Sequence, residues 1–327
     1  MTQAPTAETE RPLAARNEPR TERASVEPFD PDTMLIVFGI DASYLPHAAA
    51  TITSVRRTTP RAKFHFFIFH DGVAAEARSR LEAAAPGAAF SWAEIDDPAI
   101  LALTGQGHIS RATFYRLMLP RLVPAHAHRA LYLDSDLIVA RDLTSLWRTD
   151  LHGAPLGAVC DSGMDWKPFA ARWNLPFERG PYFNAGVLLI DLDLVRARGS
   201  FDRAIDLLGQ HTLQYMDQDA LNIVHWGQWR ALSAEWNVQH TMLLGEAAPD
   251  VPPAMLPPRR ARPGIVHFTG KRKPWLIDGY HPYAWLYWTA LRRTAFYQDV
   301  VRRHGVGPIA QARILARYAT HWPFLAR

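Results

Sequence analysis

Apolar positions along the chain fall in short runs separated by polar or Pro- and Gly-bearing stretches. MLIVFGI, from Met34, is continuous rather than alternating, which predicts a buried strand. FHFFIF (64–69) and FSWAEI (90–95) predict two more strands. Between them, Pro46 to Arg57 reads as a helix with Pro in its first turn. The Ala-rich stretch 74–85 reads as a helix ending at Pro86-Gly87. Further strands are predicted at LYLD (131–134), LGAVCD (156–161), FNAGVLLIDL (183–192) and GIVHF (264–268). DQDALNIVHW (217–226) looks helical, and HPYAWLYWTALRRTAF (281–296) reads as an aromatic amphipathic helix. The Pro-rich section from Ala247 to Pro263 is expected to be a surface loop. Strands alternating with helices predict an α/β fold around a mostly parallel sheet.

Composition narrows this picture. The chain has 327 residues, 48% of them hydrophobic, enough for a large core without a disulfide or zinc staple. Its one cysteine, Cys160, rules out an intramolecular disulfide and a Cys-rich metal site. Residues 1 to about 28 have almost no large apolar side chains, so the first 30 residues are expected to be disordered. That stretch has no apolar core of a signal peptide, and no run approaches the roughly 20 residues a bilayer span needs. The expectation is a cytoplasmic protein. The formal net charge of +4 is unevenly spread. Residues 291–327 hold seven Arg against the single acid Asp299, while residues 31–290 are balanced. A basic terminus without a basic domain weakens a nucleic-acid reading.

Four segments carry candidate chemistry. In RALYLDSDLIV (129–139) an apolar strand runs into Asp134-Ser135-Asp136. Carboxylates at i and i+2 share one side of an extended chain and suit a hard divalent cation; a strand-terminal turn also favours Asp and Ser. In IVHFTGKRKPW (265–275) a strand delivers His267, then a turn with Gly270, then Lys273. The imidazole could complete a metal site or be a satisfied core histidine. Asn184 in YFNAGVLLIDL (182–192) could bond a sugar hydroxyl or sit in a turn. Asp217-Gln218-Asp219 opens a helix, where acids also favour the helix dipole.

Taken together, FGIDASY, HISRATFYRLMLP, LYLDSD, YFNAGVLLIDL, DQDALN and HFTGKRKPW resemble, in order and spacing, the glycosyltransferases of family 8. The resemblance covers about Leu35 to Trp275 and extends distantly to glycogenins. It implies a GT-A fold over residues 31–290 and a retaining, metal-dependent transfer of glucose or galactose from a UDP-sugar. The acceptor would be a glycan or glycolipid of lipopolysaccharide or another cell-surface polysaccharide. Mn²⁺, with Mg²⁺ as the alternative, would be held by Asp134, Asp136 and His267. The donor nucleotide would meet Asp41 at the uracil, Tyr44 stacked on it, and Ser43, where many members carry Asn. Ser135 belongs to the same set. Arg116 would reach the donor phosphates or sugar, and Gly270 and Lys273 would grip the diphosphate. Asp161, Asn184, Asp217 and Gln218 would touch the transferred sugar, with Gln218 and Asp217 the catalytic candidates. His108 is carried as a donor or acceptor contact.

Two other classes compete with this reading. A nucleotidyltransferase would need a Gly-rich basic loop after the first strand, which FGIDASYLPHA lacks. A non-catalytic nucleotide-sugar binder or membrane scaffold would be favoured by a missing metal ligand, yet all three are present. In the C-terminal segment 291–327, Ile309, Ala312, Leu315, Ala319 and Trp322 recur at helical spacing, with Arg313 and Arg317 off that stripe. Such a basic amphipathic helix could lie on an anionic membrane surface or pack on the core.

Overall fold

The computed structural model describes residues 32–105, 110–257, 262–277, 279, 281–313 and 316. The predicted disordered segment 1–30, His108, and Leu315, Arg317, Ala319 and Trp322 lie outside the described residues.

Among the described residues ten strands follow one another. They are β1 (Thr33–Gly39), β2 (Lys63–His70), β3 (Ala89–Glu94), β4 (Arg129–Leu133) and β5 (Leu137–Val139). Then come β6 (Leu156–Cys160), β7 (Phe183–Asp191), β8 (Arg230–Ala231), β9 (Val238–Gln239) and β10 (Ile265–His267). Seven form one sheet in the order β3-β2-β1-β4-β7-β6-β8, and β5-β10-β9 form a second. In the larger sheet only β7 runs against its neighbours β4 and β6; the other pairings are parallel.

The continuous apolar runs are explained by burial on both faces. Along β1, Met34, Ile36 and Phe38 enter one core layer, while Leu35 and Val37 enter the other. The first layer is closed by helix Leu45–Thr58, through Ala48, Ile52 and Val55, and by helix Ala284–Leu291, through Tyr287, Trp288 and Leu291. The opposite layer is closed by helices Ser200–Gln210 and Met216–Val224 and the 3₁₀ segment Arg111–Met118. Each large apolar side chain buried this way contributes on the order of 1.5–3 kcal/mol.

Two features depart from the sequence expectation. The helix expected over 281–296 is shorter, Ala284–Leu291, and a separate helix, Tyr297–His304, follows it. Thr294 ends the first: its Oγ1 donates to the Leu291 carbonyl (2.8 Å) and accepts from the Phe296 N–H (3.2 Å), turning Phe296 into the core. Val300 and Val306 join the same core layer, so the chain beyond residue 290 is packed at least as far as Val306. The second feature is β7, which bulges where it pairs with β6: Val159 faces Asn184 but Gly157 faces Leu189. Side-chain parity flips across it, with Ala185 and Leu188 in one core layer and Val187 in the other. Bulges re-aim side chains in this way, and this one surrounds Gly186.

His225 gives the fold an acid-sensitive point. It is buried, its Nε2 finds no hydrogen-bond partner among the described residues, and its ring sits edge-on to Phe201. Burial, helped by Arg203 and Arg198, lowers its pKa to about 3. A histidine depressed in the folded state contributes stability that is intact above its unfolded value of about 6.5 and is lost as pH falls below it. Compared with His225→Phe, the wild type should lose an extra 2–3 kcal/mol, roughly, between pH 7 and about pH 4.5. Denaturant melts at the two pH values check this; equal losses would refute it.

Candidate active site

The site forms where the two sheets meet. β4 ends at Leu133, the chain crosses through Asp134-Ser135-Asp136, and β5 begins the smaller sheet. β10 pairs antiparallel with β5 so that His267 stands opposite Leu137, one residue from Asp136. The Phe268 N–H donates to the Asp136 carbonyl at 3.0 Å and locks that register. Asp134, Asp136 and His267 each turn a ligand atom to one point, all within 4.8 Å of one another. His267 Nε2 lies 3.2 Å from Asp136 Oδ1 and 3.7 Å from Asp134 Oδ2. Two carboxylates and an imidazole are a donor set for a hard or borderline divalent cation. The backbone fits that use, because Gly186 leaves the space beside the cluster open: a Cβ there would lie 2.7 Å from Asp134 Oδ2 and 2.2 Å from His267 Cε1.

Each carboxylate has its own support. Asp134 Oδ1 accepts from Arg116 Nη2 (2.9 Å) and from the Tyr132 hydroxyl (3.0 Å), and its N–H donates to the Gly186 carbonyl (2.8 Å). Lys273 donates from Nζ to Asp136 Oδ2 and to the Phe268 carbonyl. Burial would raise the Asp136 carboxyl, but Lys273 and His267 beside it outweigh that and hold it well below the usual carboxylate range.

Arg116 is buried over the Tyr132 ring, 4.5 Å from its centroid. It bridges Asp134 and Asp217, with Nε 2.9 Å from Asp217 Oδ2, and donates to the Ala185 carbonyl from Nη1. Asp217 also accepts from Thr113 Oγ1 at 2.7 Å. Burial raises its carboxyl to about 6, with Arg116 and Thr113 pulling the other way. Asp219 serves the fold instead: its Oδ2 accepts from the Tyr215 N–H (2.9 Å) at the start of the helix, while Oδ1 accepts from the Tyr182 hydroxyl (2.6 Å).

Beyond the carboxylate pair lies an amide network. Asp161 Oδ2 accepts from Asn184 Nδ2 (3.0 Å) and Gln218 Nε2 (3.1 Å), while Oδ1 accepts from the Gly163 N–H (3.0 Å). Gln218 Oε1 accepts from the Ala185 N–H at 2.9 Å. These groups line a cavity of about 340 Å³ that also takes in Tyr44, Arg116, Ser135, Asp217, His267 and Gly270. Gly270 has φ +73°, a left-handed turn conformation that glycine adopts without strain. Tyr44 stands edge-on to Trp275, and burial, with Asp136, Asp41 and Asp134 nearby, pushes its hydroxyl pKa well up.

The structure thus brings together most of the residues singled out in the sequence. Asp41, Ser43 and Lys273 do not line that cavity. Asp41 Oδ1 instead closes the turn after β1, accepting from the Ser43 N–H (2.8 Å), Ser43 Oγ (2.6 Å) and the Tyr44 N–H (3.0 Å). Thr113, Tyr132 and Asn237 also bond to the site residues, though their sequence context does not mark them. Tyr132 could have been suspected, since a polar hydroxyl two residues before Asp134 shares its side of the strand. Asn237 gives no local signal.

The sheet and its flanking helices have the GT-A glycosyltransferase fold. The galactosyltransferase LgtC, solved in complex with donor and acceptor sugar analogs, superposes with a TM-score of 0.75 at 25% identity, covering 83% of this chain and 100% of that one. Residues 35–279 match the model of glycosyl transferase family 8, and the chain belongs to that family. Its relatives include general stress protein A of Bacillus subtilis, 28% identical over 77% of this chain and 91% of that protein. The lipopolysaccharide 1,3-galactosyltransferase of Salmonella typhimurium is 26% identical over 77% and 76%. The lipopolysaccharide 1,2-glucosyltransferase of Escherichia coli is 26% identical over 82% and 80%. Among the described residues no helix is long and apolar enough to cross a membrane.

Proposed function

We propose that this glycosyltransferase moves glucose or galactose from a UDP-sugar to a glycan or glycolipid acceptor of lipopolysaccharide or another cell-surface polysaccharide, retaining the anomeric configuration. One observation carries the reading: the Asp134–Asp136–His267 cluster and the Asp161–Asn184–Gln218 network open into the same cavity. The first would hold Mn²⁺ or Mg²⁺ and the second would grip the sugar hydroxyls. A bound cation supplies Lewis-acid neutralisation of the charge that builds on the departing diphosphate. Lys273, held by Asp136 outside the cavity lining, would add positive charge beside the cluster, and Tyr44 offers an aromatic face for the base. Asp41 and Ser43, at the turn beside Tyr44, are proposed at the edge of the uracil.

Retention by double displacement needs a carboxylate free to attack the anomeric carbon. Asp217, next to Gln218, is buried, ion-paired to Arg116 through Oδ2 and bonded by Thr113 at Oδ1. Gln218 is a poor nucleophile with a fixed amide, suited to steadying an oxocarbenium-like centre. The arrangement therefore favours attack on the face the diphosphate leaves.

The test is UDP release from a panel of UDP-sugars, with and without Mn²⁺, in the presence of lipid extract as acceptor source. Turnover of one hexose donor that stops on chelation is the expected result. Nucleotide binding without metal dependence and without turnover of any donor would leave the binder or scaffold reading.

Peripheral membrane attachment is part of the proposal. Arg292, Arg293, Arg302 and Arg303 are exposed, as are Trp285 and Ile309. Because Phe296, Val300 and Val306 are core residues, the informative truncation falls after Arg313. It removes Leu315, Arg317, Trp322 and Arg327 and should lower binding to anionic vesicles severalfold while leaving UDP release intact; unchanged vesicle binding would count against attachment through these residues.

A further inference from the structure

We infer that Asn237 is a positioning residue that fixes the tautomer of His267 and ties this imidazole to the sugar-facing amides. The inference rests on reading Asp134, Asp136 and His267 as the metal ligands. Two backbone donors set the direction of the network. The Ala185 N–H donates to Gln218 Oε1 at 2.9 Å, so Gln218 must turn Nε2 to Asp161. The Gly186 N–H donates to Asn184 Oδ1 at 3.0 Å, so Asn184 must turn Nδ2 to the same carboxylate oxygen. The other amide that reaches Asn184 Oδ1 belongs to Asn237, at 2.9 Å. Asn184 Oδ1 can only accept there, so Asn237 must donate through Nδ2. Its Oδ1 then faces His267 Nδ1 at 2.9 Å. An amide oxygen can only accept, so Nδ1 must carry a proton; Nε2, which faces the Asp136 and Asp134 carboxylates, is the nitrogen left to take a cation in place of its own proton.

The direction of these bonds therefore follows from main-chain geometry. Flipping the Asn237 amide would set two acceptors against each other in a fully buried spot, a costly arrangement. Fixing the tautomer of a ligating histidine through its second nitrogen is the general way such ligands are held ready. Here the holder is a side chain that also touches Asn184. The metal ligand and the sugar contact are thus set by the same amide.

The test uses full-length protein, Mn²⁺ alone as calorimetric probe, and ¹⁵N shifts of the metal-free His267 ring as a tautomer signature. Asn237→Ala should weaken Mn²⁺ binding roughly 10- to 100-fold and move the ring off the Nδ1–H signature. Asn237→Asp keeps an acceptor for Nδ1–H but cannot donate to Asn184. It should bind Mn²⁺ within severalfold of wild type while its KM for the donor sugar rises. Wild-type Mn²⁺ affinity or an unchanged ring signature in Asn237→Ala would overturn the inference. So would a more than tenfold loss of Mn²⁺ affinity in Asn237→Asp, the variant that decides if the alanine protein does not fold. Asp136→Ala separates the premise: if it binds Mn²⁺ like wild type, the metal-site reading itself fails.

Discussion

Asp136→Asn should reduce metal-dependent UDP release by about three orders of magnitude or more. The estimate follows from losing one anionic ligand of a Lewis-acid site worth several kcal/mol to the leaving group. Asp136 would contribute more than a ligand atom. Its Oδ2 is the acceptor for the Lys273 ammonium, and Lys273 is only 7% exposed. Replacing the carboxylate by an amide leaves a buried cation without its counter-charge, so the variant should also unfold more easily, by roughly 3–5 kcal/mol. Two measurements keep the effects apart: a denaturant melt for the fold, and turnover at a temperature where the variant is folded. Turnover within about tenfold of wild type, in folded protein at saturating Mn²⁺, would remove Asp136 from the metal site.

Why the larger sheet could be read from the chain, and the cleft only in part, follows from where the information lies. β1, β2 and β4 are buried on both faces, and continuous apolar runs announce this locally. β5, β8 and β9 have two or three residues each, too few for a pattern. Asp134, Asp136 and His267 were legible as residue types at strand ends. Their meeting depends on the β5–β10 register, a pairing across more than a hundred residues that no local spacing encodes. Arg116 shows the other limit. The sequence marks it as a cation near the site but not that Asp134, Asp217 and the Ala185 carbonyl already engage its guanidinium. The early stop of the helix after Leu291 depends on Thr294 bonding back to the backbone, a choice made by the burial of Phe296.

Gly186→Ala should be the most damaging single-methyl change in the cleft. The added carbon would stand 2.2 Å from His267 Cε1, 2.7 Å from Asp134 Oδ2 and 2.8 Å from His267 Nδ1. The backbone has little freedom to retreat, because the Gly186 carbonyl accepts from the Asp134 N–H and its own N–H is held by Asn184 Oδ1. The imidazole must therefore swing, and either movement open to it breaks a contact: away from Asn237 it loses its tautomer partner, and away from Asp136 it leaves the cluster. Displacing a reacting or ligating group by about 1 Å costs on the order of 100-fold in rate, and overpacking adds roughly 1–3 kcal/mol of destabilisation. The expected result is a kcat/KM lower by about 10²–10³, with a raised Mn²⁺ requirement. Gly209→Ala is the matched control: its Cβ would meet nothing within 4 Å, so activity should not change. If Gly186→Ala kept the Mn²⁺ requirement of the wild type, the cluster beside it would not be where the cation acts.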